Sequence, residues 1–193
     1  MWIEIKRKLF HLLGLIYVVG LVYIPRTAYI WVLTAAVALI FIAEQIRLRV
    51  PAVRSWCERK ISHMFREHER RKLSGVFWMI DGVWITVLLL PPVPLAATAL
   101  LYLLLGDGIA SLAGKRLRGP KWPGSQKSVS GSAACFAMCL FIGVTLLRPR
   151  YYDWSGIVAG AFVATVMEGL PWRFNDNFTI PVSAALTFLV CYR

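Results

Sequence analysis

The sequence is poor in charged residues, and acidic residues are the scarcest of them. Only 17% of its 193 residues are charged, and 22 Lys and Arg stand against 10 Asp and Glu, a formal net charge of +12. Hydrophobic residues make up 58%, well above the roughly 45–50% of soluble domains. So much apolar sequence excludes a disordered chain and a soluble nucleic-acid-binding protein. The composition predicts one membrane-embedded catalytic domain over residues 1–193, with the lipid bilayer and not nucleic acid as its partner.

The chain also lacks the residue patterns of several common functional classes. Its four cysteines include no Cys-x-x-Cys pair, and no His-Glu-x-x-His helix is present, which excludes the usual zinc sites. The Gly-x-x-x-x-Gly-Lys-Ser/Thr spacing of a phosphate-binding Walker loop is absent. No internal repeat is visible.

Seven apolar runs dominate what is present. A helix that spans a bilayer needs about 20 residues, and about 17 is the lower limit. The runs predict an all-α, polytopic bundle of about seven transmembrane helices, or six if the last run is re-entrant around Pro181. Their approximate bounds are 9–24, 27–46, 75–90, 93–113, 131–147, 154–170 and 178–192.

The distribution of basic residues predicts the orientation of the bundle. If the N-terminus is inside, 18 of the 22 Lys and Arg lie on the inner side and only four lie outside: Arg26, Arg148, Arg150 and Arg193. This asymmetry favours a cytosolic N-terminus. The expected location is a bacterial or archaeal inner membrane, or the endoplasmic reticulum, with the candidate site facing the cytosol.

A basic segment over residues 53–73 carries apolar residues at helical spacing. Val53, Trp56, Cys57 and Ile61 recur between arginines and lysines, which predicts an amphipathic helix on the cytosolic leaflet. A solvated basic linker is the alternative.

Acidic residues in the apolar runs mark the candidate site. Charged groups within membrane spans cost several kcal/mol and are usually functional. All of them fall at one predicted depth near the cytosolic end, although nothing beside Asp81 suggests a ligand. They are Glu44, Asp81, Asp107 and Glu168, with Asp176 in the short loop that follows Glu168.

The strongest local feature is the segment 106–115, together with the loop over 119–131 that follows it. On a helix, Asp107, Ser111 and Lys115 are four residues apart and share a face. The loop combines glycines, hydroxyls and lysines and leads into a helix N-terminus, which favours anions. A carboxylate for a metal beside a basic, glycine-containing loop for phosphates predicts phosphoryl transfer. Taken singly, Asp107 could mark a helix kink, the loop could be a turn capped at Ser128 or Ser130, and Glu168 and Asp176 could pair with Arg173.

Several short motifs follow one another along nearly the whole chain. They are Arg7-Lys8-x-x-His11, Glu44-x-x-Arg47, Ser74-Gly75, Gly106-Asp107-x-x-Ala110-x-x-x-Gly114-Lys115, Lys127-Ser128-x-x-Gly131, Glu168-x-x-Pro171, Asp176-Asn177 and Ile180-Pro181. In this order they resemble the motifs of the polyprenol kinase family, which includes dolichol kinase, phytol kinase and the CTP-dependent diacylglycerol kinase. Asn175 is one departure, since many members carry a second Asp beside Asp176.

The resemblance implies a lipid kinase that uses CTP, or another nucleotide, to phosphorylate the hydroxyl of a membrane lipid alcohol such as a polyprenol, phytol or diacylglycerol. It implies catalytic roles for Asp107, Lys127 and Glu168. Nucleotide contacts are expected from Lys115, Ser111, Ser128, Gly131, Asn177, Arg7 and His11, although His11 alone is typical of a packed or snorkelling histidine. Asp107, Glu168 and Asp176 are hard oxygen ligands suited to Mg²⁺. A helix break near Pro171 should bring these three carboxylates within about 10 Å of one another.

Two other functions fit parts of the pattern. A phosphatidate cytidylyltransferase also joins CTP to a membrane lipid, but the chain lacks the Gly-Gly-x-x-Asp-Arg-x-Asp ending of those enzymes. A small ion-coupled transporter would use Asp107 and Glu168 as ion ligands, and would place them near the bilayer midplane between repeats.

Overall fold

The described part of the protein is helical. A computed structural model describes residues 13–61, 71–117, 119–147, 154–170 and 174–191, and within these ranges it contains no strand beyond one isolated bridge between Lys121 and Ser128. A π-helical turn, Tyr102–Asp107, joins the helices Val93–Leu101 and Gly108–Leu117. The helices are α1 (Leu15–Tyr23), α2 (Arg26–Arg49), α3 (Pro51–Ile61), α4 (Gly75–Leu89), α5 (Val93–Leu101), α6 (Gly108–Leu117), α7 (Val129–Leu146), α8 (Trp154–Gly169) and α9 (Asp176–Cys191).

Every apolar run of the sequence coincides with a helix in the described ranges. Three of them are long and apolar enough to cross a bilayer, namely Arg26–Arg49, Val93–Leu117 and Val129–Leu146. The apolar helices α4, α8 and α9 have 15, 16 and 16 residues. The chain is therefore a helical membrane protein, while the number of seven spans and the cytosolic N-terminus stay predictions.

Prolines lie at the start of several helices. Pro25 lies just before α2, Pro51 begins α3 and Pro92 lies just before α5, because proline is tolerated at a helix start but not in its interior. Pro181 is an exception, since α9 continues through it to Cys191 without a break. The alternative of a re-entrant last segment is therefore not what the structure shows.

The basic segment is helical over Pro51–Ile61, which forms α3. Cys57 is buried, whereas Trp56 is 52% exposed, so the helix has an inner and an outer side. Residues 62–70 lie outside the described ranges. Contact of α3 with the leaflet stays a prediction.

The core is built from closely packed helices with small residues between them. A Cβ atom on Gly160 of α8 would clash with the Phe188 ring of α9, and one on Gly82 of α4 would lie 2.8 Å from the Asn177 carbonyl oxygen of α9. Small residues permit such approach between membrane helices. The helix α9 is thus held between α4 and α8, which determines where its first residue, Asp176, lies.

Candidate active site

A single lysine lies at the centre of the candidate site. The Lys127 ammonium contacts Asp107 Oδ1 at 3.3 Å, Glu168 Oε1 at 2.8 Å and Asp176 Oδ2 at 3.3 Å. Because all three oxygens lie within 3.3 Å of this one nitrogen atom, they are closer to one another than the distance of about 10 Å that the sequence predicts. The sequence places these four residues far apart along the chain, and the fold gathers them at one point.

The π-helical turn presents Asp107. The turn ends at Asp107, which is only 7% exposed. Such π-turns inside α-helices are frequent at functional sites. A Cβ atom on the preceding Gly106 would lie 2.9 Å from Cys139 Sγ, so this glycine lets α7 approach. The helix is thus irregular at Asp107, and the Asp107 carboxylate contacts Lys127.

A tight turn brings Lys127 to the three carboxylates. Pro123 and Gly124 form its corner, the Ser125 N–H donates to the Trp122 carbonyl at 3.0 Å, and Gly124 has a positive φ of 71°. Pro followed by a glycine with positive φ is the signature of a type II turn. The Trp122 N–H donates to the Lys127 carbonyl at 3.0 Å. The returning chain therefore carries Lys127 to the start of α7.

Glu168 is held through both of its oxygens. It lies one residue before the end of α8 and is 2% exposed. Oε1 accepts from Lys127, while Oε2 accepts from the Ser132 hydroxyl at 3.3 Å, which accepts in turn from the Trp122 indole N–H at 3.0 Å. Sequence reasoning missed Ser132 and Trp122. Trp122 belongs to the polar loop and Ser132 follows it in the first turns of α7, but their pairing depends on the fold of the loop.

Asp176 reaches the cluster because the chain breaks between α8 and α9. Helix α8 ends at Gly169 and α9 begins at Asp176, as the proline at 171 predicts, although residues 171–173 lie outside the described ranges. The Asn177 side-chain amide donates to the Gly75 carbonyl oxygen at 3.0 Å. This contact ties the start of α9 to the start of α4, and the nucleotide contact of Asn177 stays a prediction.

The charges of the cluster determine the protonation of Lys127. Burial lowers the pKa of its ammonium, but the three carboxylates raise it by more, so that the pKa stands above its ordinary value. Lys127 is therefore positively charged at neutral pH. One positive charge faces three carboxylates, which leaves an excess of negative charge when all three are ionised.

A cleft with a volume of about 450 Å³ lies beside the cluster, within the range of roughly 300–1,000 Å³ typical of small-molecule sites. It is formed by α6, the loop and α7. Lys121, which the sequence analysis did not single out, contributes a third lysine. The polar residues in its wall include Ser111, Lys115, Lys121, Lys127, Ser128 and Glu168.

Glycines let α6 and α7, the two helices beside the cleft, approach each other. A Cβ atom on Gly131 would lie 2.7 Å from the Ala110 carbonyl oxygen, and one on Gly114 would lie 2.6 Å from Ser128 Oγ. The Ser128 hydroxyl accepts from the Gly131 N–H at 3.1 Å and caps α7. The simple interpretation of the loop as a capped turn is therefore right for Ser128, which also lines the cleft.

A second buried charge cluster lies at the start of α4. The Glu44 Oε2 atom accepts from Arg47 at 2.6 Å and from the Ser74 N–H at 3.0 Å, and Arg47 donates to the Lys72 carbonyl at 2.7 Å. The Glu44-x-x-Arg47 and Ser74-Gly75 motifs thus meet in space, but as an anchor between α2 and α4.

The remaining sequence candidates divide into two groups. Asp81 lies in α4 and is half-buried, and the contacts of Lys127 do not include it. Arg7 and His11 lie outside the described residues, so their predicted nucleotide contacts stay predictions.

The donor chemistry of the cluster fits Mg²⁺, although the present arrangement is filled by Lys127. Carboxylate oxygens are the ligands that Mg²⁺ prefers, and three of them already surround one positive charge. Among the described residues, no three His, Cys, Asp or Glu are grouped closely enough to hold an ion directly. Lys127 lies between the three carboxylates.

Comparisons with known proteins give named relatives. CTP-dependent diacylglycerol kinase 1 of Schizosaccharomyces pombe is 30% identical over 167 residues, 78% of this chain and 75% of that protein. The protein of the same name from Saccharomyces cerevisiae is 28% identical over 212 residues, 95% of this chain and 71% of that protein. Phytol kinase 1 of Arabidopsis thaliana is 27% identical over 143 residues, 65% of this chain and 46% of that protein. No protein-family model matches the chain, and no solved structure is significantly similar to it.

Proposed function

The chain belongs to the polyprenol kinase family of lipid kinases, and from that premise we propose that it transfers the terminal phosphate of CTP to the hydroxyl of a membrane lipid alcohol. The observation that carries the proposal is the junction of a lysine-lined cleft with three carboxylates on one ammonium. This junction supplies groups for phosphates on one side and groups for a hydroxyl proton on the other.

The cleft suits the phosphates of a nucleotide. Lys115 and Lys121 line it, and the capped start of α7 lies at its edge. Ammonium groups form charge-assisted hydrogen bonds with phosphate oxygens, and helix N-termini favour anions. We therefore place the phosphate chain of CTP in this cleft, with its terminal phosphate toward Lys127.

The reaction requires one bond to form and one to break. The lipid hydroxyl oxygen attacks the terminal phosphorus, the bond from that phosphorus to the oxygen of the departing CDP breaks, and CDP leaves with the electron pair. The hydroxyl proton passes to a carboxylate, for which Asp107 is our candidate because it is buried beside Lys127. The transition state is loose, so positioning and charge neutralisation contribute more than proton abstraction.

The three carboxylates of the cluster are the candidate ligands of Mg²⁺. Bound there, Mg²⁺ would neutralise the developing charge on the transferred phosphate. Lys127 would remain beside the same phosphate as a second positive charge. The Ser132 hydroxyl, which accepts from Trp122, would hold the Glu168 carboxylate in a fixed orientation when Mg²⁺ binds.

The lipid alcohol is proposed by analogy with the relatives. Their names specify diacylglycerol and phytol, which share a hydroxyl at one end and long apolar chains. The cluster lies at the ends of apolar helices, so such a molecule would reach it while its chains stay in the bilayer. With the N-terminus inside, this end of the bundle faces the cytosol.

Product analysis tests the proposal. Purified protein should be incubated with Mg²⁺, CTP labelled separately in the base and in the terminal phosphate, and a panel of phytol, polyprenols, diacylglycerol and phosphatidate. A kinase releases CDP and moves the terminal label to the lipid. A cytidylyltransferase would release pyrophosphate and move the base label, and a transporter would leave CTP intact; either result rejects the kinase.

A further inference from the structure

Two glycines flank Asp107, and they differ in how closely other atoms pack against them. A Cβ atom on Gly106 would meet Cys139 Sγ at 2.9 Å, so close packing explains this glycine. A Cβ atom on Gly108 would have no atom of the described residues within 4 Å. Gly108 is therefore bordered by open space next to a buried carboxylate.

The two usual reasons for a glycine do not apply to Gly108. Its backbone angles, φ −55° and ψ −55°, are helical and open to any residue, so conformation does not require it. Packing among the described residues does not require it either, because none of their atoms lies where its Cβ atom would be. A helix with glycine at an interior position is less stable than one with alanine. Neither conformation nor packing explains why Gly108 keeps this loss of stability.

Gly108 lies on the same face of α6 as two residues of the cleft. Gly108, Ser111 and Lys115 are spaced by three and four residues and share one face of α6, and the latter two line the cleft. Leu112, one turn after Gly108, is 60% exposed. The bare surface at Gly108 thus lies between the cleft for phosphates and an apolar surface, directly beside Asp107.

From this geometry we infer that Gly108 forms the passage through which the hydroxyl end of the lipid alcohol reaches Asp107 and the terminal phosphate. The absence of a side chain leaves room for the carbon atoms next to the hydroxyl. Leu112 would contact the first part of the apolar chain. The inference rests on the proposed kinase function and names the residue that admits its acceptor.

A steric series at Gly108 tests the passage. Gly108→Ala should raise the thermal midpoint by roughly 2 °C, since helix propensity improves, and should still raise the KM for the lipid. Gly108→Leu should raise the lipid KM at least about tenfold, the usual effect of a misfit side chain in a substrate pocket. The KM for the nucleotide should stay unchanged in both variants.

The control adds bulk at another exposed apolar position. Val158 of α8 is 42% exposed and lies ten residues before Glu168, about 15 Å by helical rise. Val158→Leu should leave both KM values unchanged. An unchanged lipid KM in Gly108→Leu, in a preparation whose wild type is active, overturns the passage and leaves the kinase intact. A wild type without kinase activity rejects the proposed function instead.

Chemical labelling gives a readout that does not depend on turnover. Gly108→Cys should react with a small maleimide above the background of the native cysteines, and phytol or diacylglycerol should slow this reaction at least about fivefold if lipid occupies the passage. Equal rates with and without the lipid alcohol would contradict the inference. This test also serves if Gly108→Leu fails to fold.

Discussion

The molecule contains two buried charge clusters, and they differ in balance. In the first, the Glu44 carboxylate meets the Arg47 guanidinium, and backbone groups of residues 72 and 74 provide further hydrogen bonds. In the second, three carboxylates contact the ammonium of Lys127 beside an open cleft. Among the described residues, the first cluster joins one carboxylate to one guanidinium between two helices, whereas the second gathers three carboxylates around one ammonium in the wall of a cleft.

The comparison shows why a charge in an apolar run is not sufficient evidence of a site. Burying a charge is costly unless it is paired, so a structural cluster should contain matching partners, as the Glu44 cluster does. Three carboxylates around one ammonium are costly to bury unless a ligand balances them or a carboxyl is protonated, so this cluster is the better candidate for a site. Glu44 and Asp107 look alike in the sequence, because both lie near the predicted cytosolic ends of apolar runs. The groups that contact them in the structure distinguish the two residues.

The largest expected effect is that of Asp107→Asn. The substitution keeps the shape but removes a charge that would bind metal or accept the hydroxyl proton. We expect the rate of phosphate transfer to fall by more than about 100-fold, roughly 2.7 kcal/mol, while the protein inserts and purifies normally. Glu44→Gln is the matched variant of the other cluster. It should lower the thermal midpoint, because Arg47 loses its partner, and should affect kcat far less. Near-normal turnover in Asp107→Asn would remove it from the site.

The second prediction concerns the lysines of the cleft. Lys115→Ala and Lys127→Ala should each weaken nucleotide binding far more than lipid binding. A charge-assisted hydrogen bond contributes about 1.5–3 kcal/mol, roughly 10- to 150-fold in affinity. Binding of labelled CTP and the KM of each substrate measure the effect. If neither the nucleotide KM nor kcat changes in either variant, the loop is only a structural turn.

The third prediction concerns the support of Glu168. Ser132→Ala removes the hydroxyl that donates to Oε2, and a hydrogen bond to a charged group contributes about 1.5 kcal/mol or more. We expect kcat to fall roughly tenfold with little change in nucleotide KM. In a Glu168→Gln background the same substitution should add little, because the two residues act as one unit. Full additivity of the two losses would show that Ser132 acts elsewhere.

The smallest effect is expected from pH. The pKa of Lys127 is raised in the folded protein, so its ion pairs stabilise the fold fully below the unfolded-state pKa of about 10.4. That contribution is lost only as the pH rises through the higher folded value. Thermal midpoints of wild type and Lys127→Met should therefore differ by a constant amount from pH 7 to 9. A difference that shrinks within this window would contradict a charged, paired Lys127.

Much of the fold follows from the sequence because apolar runs and prolines are local signals. The runs coincide with helices, and the predicted break after Glu168 occurs. The resemblance to the polyprenol kinase family is confirmed by the relatives. The π-turn at Asp107 and the Ser132–Trp122 pair were not predicted, since both depend on contacts between α6, α7 and the loop. The contact of the Asn177 amide with Gly75, across 102 residues, was not predicted for the same reason, and the nucleotide contact of Asn177 stays a prediction.

The most direct test of the central claim is product analysis of the wild type and Asp107→Asn side by side, with CTP, Mg²⁺ and diacylglycerol or phytol. The account predicts CDP and phosphorylated lipid in equal amounts from the wild type, a loss of both in Asp107→Asn, and both again in Glu44→Gln. Release of pyrophosphate, or equal turnover in Asp107→Asn and the wild type, would contradict it.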